Sequence, residues 1–600
     1  MNWRSAAFAA GLGAREIREL DLPRPLRAPL ITAAPEAGPE HPDGPSPRPS
    51  GPEPRPEKRP PEQPGSEQPQ PEQPQPEQSR PDEPLPAQPH RRRYDARWLG
   101  LRALPLGLVL SVAALLRFDA LTAVGLNSDE AVYTGSAEAL AGNHALTGMF
   151  PIFRAHPILV QLLVGGALHI SDTDWSARAV PAAFGVAAVA LTYLLGARLY
   201  GAGTGLAAAA ILAVMPYHVM VSRQVLLDGP MTTFAILGLY CVARAAESDP
   251  RRWIAAAGAA FGLAALAKET AVVLLAAVYA FGAMGAAGRL RLRYYAIGLG
   301  FFAAIFATYP IALRLASVSS TGQNFLLWQL LRRANHPLWF YFTDLPRVIG
   351  PAVLGCAAAG LIWLRRQRGW RERLLLTWIA VPLVFFTIWP VKGFQYLLPA
   401  APALAVLAGH PLAALCAKAW SVRGGLRSRA GFALRGAAFV GGIAVAASLA
   451  VPTWQRITPS SSTAFLAGTG GLPGGRATGR WIGANAPGGA RLLAAGPSIA
   501  NVLEFYGHHQ VGALSVSTDP RNRNPVYQPV VNPDRAVRSG QYQYLVWDSF
   551  TAGRSPYYAG EIRKLIDKYH GVAVFTATVS VGGRHGQSAV PVIIVYEVHP

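Results

Sequence analysis

Long apolar runs dominate the middle of this sequence. Between residues 101 and 451, stretches rich in Leu, Ala, Val and Gly recur at roughly the 20-residue length that an α-helix needs to cross a bilayer. Gly and Pro are frequent in these runs, as they are in membrane helices. The pattern predicts a polytopic α-helical membrane protein with about 11 spans. The expected spans are 103–124, 175–198, 203–220, 229–245, 253–267, 270–287, 295–316, 347–364, 374–390, 395–416 and 432–452.

Basic segments between the runs predict the orientation of the chain. HRRRYDARWLGLR (90–102) precedes the first run, and positive residues of this kind hold a segment in the cytoplasm. Counted from there, the basic connections at 288–295, 365–373 and 417–431 also fall on the cytoplasmic side. We therefore expect a bacterial inner-membrane protein with a cytoplasmic N-terminus.

The two long connections then lie on the outer side of the membrane. They are residues 125–174, the first outer loop, and 317–346, the second outer loop. The first contains SAEALAGNHAL and HPILVQLLVGGALHI, which are too short or too interrupted to span and suit helices along the interface. Residues 96–455 are thus predicted to form one membrane domain with two outer loops.

Both ends of the chain depart from this pattern. Residues 1–95 become rich in Pro, Glu and Gln, which predicts a disordered cytoplasmic region with polyproline II character and no signal peptide. Residues 470–600 alternate between strand and helix patterns, which predicts a small α/β domain. An odd number of spans places that domain outside the cytoplasm. The strands are expected at 491–496, 542–549, 571–582 and 590–599, and the helices at 498–508 and 555–570.

The net charge and the motifs of the sequence do not alter the prediction of a membrane protein. Lys plus Arg exceed Asp plus Glu by 55 to 34, but the basic loops account for much of the excess, and no nucleic-acid-binding motif is visible. The sequence also has no phosphate-binding Gly loop with Lys, no Gly-x-Ser-x-Gly elbow and no His/Cys metal spacing. These absences argue against nucleotide-fuelled pumping. A divalent ion held by carboxylates alone would leave no readable spacing, so that alternative stays open.

Acidic side chains lie at the outer ends of two spans. Asp129 and Glu130 follow the first span in LNSDEAVYTGSA, and Asp228 lies in SRQVLLDGPM, five residues after Arg223. The acids could simply keep the beginning of the loop in contact with water. Alternatively, one carboxylate could accept a proton from an attacking hydroxyl. Asp228 and Arg223 could form an ion pair that anchors the loop, or could line one outward cavity.

Cations are predicted on the same outer face. A lysine at a membrane boundary can meet a phosphate head group as a point charge. Acids and cations from several loops therefore suggest that an anionic lipid-linked group is held while a carboxylate activates a nucleophile. The residues concerned are Lys268 and Glu269 between two spans, Lys392 and Tyr396 in WPVKGFQYLLPAAP, and Arg332 and Arg333 in the second outer loop.

The order of these features resembles the GT-C class of membrane glycosyltransferases. In particular it resembles bacterial relatives of the protein O-mannosyltransferases and of the lipid A aminoarabinose transferase. The resemblance covers about residues 100–420, and the tail 470–600 also looks like the periplasmic domain of such proteins. The matching pieces are SDEAVY, the HP of AHPILVQLLV with His156, SRQVLLDGPMTTF, AKETAVVLL and KGFQYLLPAAPALAVLAG.

The resemblance implies an inverting transfer of a hexosyl or pentosyl group from a polyprenyl-phosphate sugar to a hydroxyl of a protein, wall glycan or lipid on the outer face. It implies that Asp129 is the general base or orients the acceptor, with Glu130 beside it and Asp228 as a second acid. Lys268, Lys392 and Arg223 would neutralise the departing lipid phosphate.

Two positions depart from the family's pattern. Several relatives have Lys before the prolines of the first outer loop, where this chain has Ala155-His156-Pro157, and many have Arg-Tyr where this chain has Gln395-Tyr396. A phosphate contact would then be missing, or supplied by Arg332 or Arg333. The alternative function is a transporter or lipid flippase, which should place charges near the bilayer midplane on two matching halves. A non-catalytic scaffold is the third alternative.

Overall fold

A computed structural model describes residues 96–599, apart from 152–155, 285–289, 316–324, 326–327, 367–368, 422–428, 458–470, 521 and 584–585. The region 1–95, for which the sequence predicts disorder, lies outside the described residues. From Arg97 onward the described residues belong to one compact unit.

Most of the described residues between 96 and 457 are helical, and each of the 11 predicted spans contains a helix. The segments predicted to lie along the interface in the first outer loop are also helical. The helices are α1 (Ala96–Phe118), α2 (Ser128–Leu140), α3 (His144–Thr147), α4 (Leu159–Ile170), α5 (Asp174–Tyr200), α6 (Ala202–Val214), α7 (Pro216–Ser222), α8 (Asp228–Ala245), α9 (Pro250–Ala267), α10 (Val272–Ala283), α11 (Leu292–Phe306), α12 (Thr308–Leu315), α13 (Phe340–Ile349), α14 (Pro351–Arg365), α15 (Trp370–Ile388), α16 (Ala400–Ser421) and α17 (Arg429–Ile457).

Several of these helices are apolar enough to cross a membrane. Within the described residues, α5, α16 and the continuous segment Leu292–Leu315 are long enough to do so alone. Two bent pairs, α6 with α7 and α13 with α14, would bring the number to five if each pair is one span. The chain is thus a membrane protein with several apolar helices, and the total of 11 spans stays a prediction.

Small residues allow the membrane helices to approach each other closely. α5 packs against α6, and α9 packs against α11. A Cβ atom at Gly196 of α5 would lie 2.9 Å from the Cα of Gly205 in α6, a separation that real Cβ atoms do not tolerate. Without a hydrophobic driving force between helices in lipid, such close backbone contact is a main source of helix association.

The C-terminal domain is a five-stranded mixed sheet with helices on both faces. Its strand order is β2-β1-β3-β5-β4, with β1 parallel to β2 and β3, and β5 antiparallel to β3 and β4. The sequence predicts an α/β domain here but not the short strand β2. The elements are α18 (Gly475–Asn485), β1 (Leu492–Ala494), α19 (Pro497–Gly507), β2 (Val511–Ala513), α20 (Pro533–Arg538), β3 (Tyr544–Asp548), α21 (Ser549–Arg554), α22 (Pro556–Lys568), β4 (Val572–Gly583) and β5 (Gly586–Glu597).

Alternating side chains of the sheet build two cores. Leu492 of β1 belongs to the core beneath α19, whereas its neighbour Leu493 belongs to the core beneath α20 and α22. This alternation follows from the two-residue period of a strand. The first core also contains Leu126, Ala131 and Phe150 of the first outer loop. The C-terminal domain and that loop therefore share one hydrophobic core.

Candidate active site

The first turn of α2 carries the two adjacent acids. Asn127 is the N-cap, and its Oδ1 accepts hydrogen bonds from the backbone N–H groups of Asp129 and Glu130, each at 3.0 Å. The Glu130 Oε2 accepts the Asn127 N–H at 3.1 Å, which completes a capping box. Negative side chains are also favoured at a helix N-terminus by the helix dipole. The sequence around the pair thus starts a helix whose geometry sends the two side chains in different directions.

Glu130 points into the protein and is fully buried. It forms a bidentate ion pair with Arg178 of α5, with Nε–Oε1 and Nη2–Oε2 distances of 2.7 Å. Its Oε1 also accepts the Val225 N–H at 3.0 Å. Arg178 in turn donates to the carbonyls of Leu121, Val124 and Gly125. Because both carboxylate oxygens are engaged, Glu130 acts in the structure as an anchor of the loop.

Asp129 remains exposed, and no side-chain hydrogen bond to it occurs among the described residues. The surrounding protein nevertheless removes much of its solvation, and this desolvation raises the pKa of its carboxyl group, while Lys268 and His156 act in the opposite direction. Asp228 also interacts with it electrostatically. The accessible carboxylate therefore faces residues of α8, of the α9–α10 connection and of the first outer loop.

Asp228 is paired with Lys268 rather than with Arg223. The Lys268 Nζ donates to both Asp228 oxygens, at 2.9 and 2.8 Å, and both side chains are almost completely buried. Lys268 also lies 4.6 Å from the centre of the Tyr396 ring, a cation–π contact. Arg223 instead donates to the Leu116 carbonyl at 2.8 Å. Of the two alternatives for these residues, the Arg223–Asp228 ion pair is therefore wrong, because α7 ends at Ser222 and α8 begins only at Asp228.

His156 and Glu269 form a second pair beside the first. The His156 Nδ1 lies 2.9 Å from the Glu269 carboxylate. The imidazole ring also contacts Tyr133 of α2 and Phe325 of the second outer loop, with centroid distances of 5.9 and 5.3 Å. Because Glu269 occupies one ring nitrogen, it orients the imidazole and leaves Nε2 for another partner. We call Asp129, Tyr133, His156, Asp228, Lys268, Glu269 and Tyr396 the outer cluster.

The second outer loop adds one cation to the outer cluster. The Arg332 guanidinium stacks on Trp328 at 4.3 Å and interacts electrostatically with Tyr396. Within the part of the chain that the structure describes, no carboxylate pairs with Arg332. Its neighbour Arg333 is exposed. Arg332 therefore offers a positive charge that no acid among the described residues pairs with.

Lys392 has a local structural role. Its backbone N–H donates to the Asn335 Oδ1 at 2.7 Å, and Asn335 Nδ2 returns a hydrogen bond to the Lys392 carbonyl at 3.0 Å. The Lys392 ammonium donates to the Trp389 carbonyl at 2.9 Å. These bonds join the second outer loop to the α15–α16 connection. Of the predicted site residues, Glu130, Arg223, Lys392 and Arg333 thus lie outside the outer cluster.

Sequence reasoning missed Arg178, Tyr133 and Asn127. Arg178 lies one turn into an apolar helix after the first outer loop, and a charge at such a position usually has a buried partner. That signal could have been noticed, but its partner Glu130 lies 48 residues earlier. Among the described residues, no group of three or more His, Cys, Asp or Glu side chains could hold a metal ion.

Comparisons with known proteins place this geometry in a family context. A family model described as dolichyl-phosphate-mannose-protein mannosyltransferase matches residues 155–312. An undecaprenyl phosphate-alpha-4-amino-4-deoxy-L-arabinose arabinosyl transferase of Pseudomonas fluorescens is 29% identical over 272 residues, 42% of this chain and 48% of that protein. The chain thus spans about half the length of the curated relatives that it matches.

Solved structures are similar over a larger part of the chain. ArnT from Cupriavidus metallidurans bound to undecaprenyl phosphate has a TM-score of 0.58 at 17% identity, covering 82% of this chain and 98% of that one. The oligosaccharyltransferase AglB from Archaeoglobus fulgidus, in complex with an inhibitory peptide and a dolichol-phosphate, has a TM-score of 0.54 at 14% identity, covering 82% and 74%. The resemblance to GT-C class membrane glycosyltransferases that the sequence predicts is therefore confirmed, and at these identities the solved structures establish the fold.

Proposed function

We propose that this protein is an inverting glycosyltransferase that moves a sugar from a polyprenyl-phosphate donor to an acceptor hydroxyl on the outer face of the membrane. Two lines of evidence support the proposal. The outer cluster brings an accessible carboxylate next to cations, and a similar solved structure contains undecaprenyl phosphate. The N-terminus is then cytoplasmic, and the C-terminal domain lies outside the cytoplasm of a bacterial cell.

The observation that carries the proposal is the separation of roles between the acids. Glu130 and Asp228 are each buried in a bidentate ion pair, and Glu269 is paired with His156. Among these four acids in the described part of the chain, Asp129 alone is exposed and has a carboxylate outside any ion pair, whereas the Glu269 side chain is only 21% exposed and is held by His156. A general base must reach the proton that it accepts, so Asp129 is the acid suited to that role.

The proposed reaction is a single displacement at the anomeric carbon of the donor sugar. The acceptor oxygen bonds to that carbon while the bond to the phosphate oxygen breaks, and its electron pair leaves with the polyprenyl phosphate. Asp129 accepts the hydroxyl proton. Attack from the face opposite the phosphate inverts the configuration at the carbon.

Charge on the departing phosphate increases in this step, and a cation near it would stabilise the transition state. Lys268 is already neutralised by Asp228, so its contribution to that charge is smaller than its position suggests. Arg332 has no such partner among the described residues, and its planar guanidinium suits phosphate oxygens. We therefore assign the main phosphate contact to Arg332, with Lys268 and His156 beside it.

The test is donor-dependent release of free polyprenyl phosphate by the purified protein. Several polyprenyl-phosphate sugars, carrying hexosyl or pentosyl groups, are incubated with and without a hydroxyl acceptor. Release that requires one donor class supports the proposal and identifies the sugar class. No release from any donor by protein that melts cooperatively contradicts it and favours a transporter. A divalent cation bound by Asp129 and the donor phosphate is the second form of the proposal, and release that EDTA abolishes would identify it.

A further inference from the structure

The segment that leads into the outer cluster is held between two domains. On its membrane side, Arg178 binds the carbonyls of Leu121, Val124 and Gly125. On its other side, α2 packs against α19 of the C-terminal domain. Leu126 and Ala131 are buried in the core that also contains β1 and α19. The position of Asp129 therefore depends on both domains.

One hydrogen-bond chain connects the C-terminal domain to the residue beside Asp129. Asn501 of α19 is 1% exposed, and its Nδ2 donates to the Ser128 Oγ at 2.9 Å and to the Tyr527 hydroxyl at 2.9 Å. Both hydrogens of the amide are thereby used. A buried amide without such partners would cost about 1–3 kcal/mol, so the contact fixes Ser128 relative to α19.

A second group of contacts fastens the same domain at a different place. The Tyr506 hydroxyl accepts the Leu126 N–H at 2.9 Å and donates to Asp174 at 2.7 Å. Arg476 donates to the Thr122 carbonyl at 2.8 Å and to Asp174 at 3.3 Å. Arg476 touches the loop well before the first turn of α2. It provides a docking contact that the first turn of α2 does not share.

We propose that the C-terminal domain is part of the catalytic apparatus, with Asn501 and Tyr527 acting as positioning residues that hold Asp129 through Ser128. This inference rests on the proposed function, in which Asp129 is the base. Ser128 is the first residue of α2 and Asp129 is the second, so a shift of Ser128 moves the carboxylate directly. A displacement of about 1 Å in a reacting group can reduce turnover by roughly 100-fold.

The test compares variants of the full-length protein in the polyprenyl phosphate release assay. Ser128→Ala and Asn501→Ala remove the hydrogen bond, and Tyr527→Phe removes only the second acceptor. We expect kcat to fall by about 10-fold or more in the first two, with KM for the donor within about 2-fold. Ser128→Thr retains the hydroxyl and should retain most of kcat. Arg476→Gln is the matched control, which weakens docking and should leave kcat within about 2-fold.

Hydrogen exchange of the peptide 126–140, followed by mass spectrometry, gives a readout that does not depend on activity. Faster exchange in Ser128→Ala and Asn501→Ala than in Arg476→Gln, together with the loss of kcat, would support the inference. Unchanged exchange would overturn it, even if the wild type proves inactive. Faster exchange with unchanged kcat would also overturn it, because the contact would then be structural only. An inactive wild type with faster exchange would contradict the proposed function and still support the coupling of α19 to α2.

Discussion

At the scale of single residues, the adjacent acids Asp129 and Glu130 lie in different environments, the first exposed and the second buried. Asp129 and Glu130 are separated by the 100° that one residue turns in an α-helix, so one faces the outer cluster while the other meets Arg178. The sequence identified the pair, and the family resemblance implied that Asp129 is the general base or orients the acceptor. It could not separate their roles, because the partner of Glu130 comes from another helix.

The buried ion pair between Glu130 and Arg178 predicts that replacing Glu130 lowers the stability of the folded protein. Glu130→Gln leaves Arg178 buried without its carboxylate, and breaking a buried ion pair costs about 3–5 kcal/mol. We expect a clearly lower unfolding temperature in detergent for this variant. Asp129→Asn, the adjacent control, should melt within about 1–2 °C of the wild type because its carboxylate is exposed. Equal melting of both variants would show that the Arg178 pair does not anchor the loop.

The position of Arg332, stacked on Trp328, predicts that replacing it weakens donor binding. Arg332→Gln removes the one cation near Tyr396 that no described acid neutralises. We expect KM for the donor to rise by about 10-fold, the size of a lost charge-assisted hydrogen bond of about 1.4 kcal/mol or more. Arg333→Gln is the matched control, since this neighbouring side chain is exposed and should leave KM unchanged. A rise in KM for Arg333→Gln alone would reverse the assignment.

At the scale of elements, the helices were largely predictable and their bends were not. Each predicted apolar run contains a described helix because length and hydropathy are local properties, but α13 (Phe340–Ile349) begins inside the segment predicted as the second outer loop. The pair α6 and α7 bends by 62° just before Pro216, and α13 and α14 bend by 101° at Gly350. Hydropathy is continuous across α6 and α7, so it predicted one span there. The three-residue strand β2 was missed because it is too short for an alternation to be seen.

The N-cap of α21 is Asp548, a buried acid whose negative charge lowers the stability of the fold. The Asp548 Oδ1 accepts the Thr551 N–H at 2.6 Å, but burial raises the pKa of this carboxyl group to about 6. The folded state then binds the proton more tightly than the unfolded state. This group's contribution to stability is therefore fully present below the ordinary pKa of 3.8 and is lost as the pH rises through 6.

Because the ionised Asp548 carboxylate destabilises the fold, the effect of Asp548→Asn on stability should depend on pH. Asparagine caps a helix about as well as aspartate but carries no charge. The variant should be more stable than the wild type at pH 7.5, by an amount of order 2–3 kcal/mol, and should match it at pH 4. Thermal unfolding at both pH values measures the difference. A variant that is less stable at both values would mean that the charged carboxylate is stabilising.

At the scale of the whole molecule, the outer cluster joins elements that are distant in the sequence. His156 comes from the first outer loop, Asp228 from α8, Lys268 from the α9–α10 connection and Tyr396 from the α15–α16 connection. The prediction that charges gather on one face rested on topology alone. Which charges pair with each other could not be predicted, because pairing depends on helix packing.

The docking of the C-terminal domain onto the membrane domain also could not be predicted from the sequence. Its strands and main helices could be predicted from their patterns, but the shared core of Leu126, Ala131 and α19 depends on the tertiary fold. This arrangement couples the membrane domain to the C-terminal domain at the first turn of α2.

The most direct test of the central claim compares Asp129→Asn with Asp172→Asn. Asp172 is an exposed acid in the same outer loop, so both variants remove one negative charge from that loop. We predict that Asp129→Asn lowers donor-dependent release of polyprenyl phosphate by about 100-fold or more, while Asp172→Asn stays within about 2-fold of the wild type. Equal release by wild type and Asp129→Asn would contradict the assignment of Asp129 as the base.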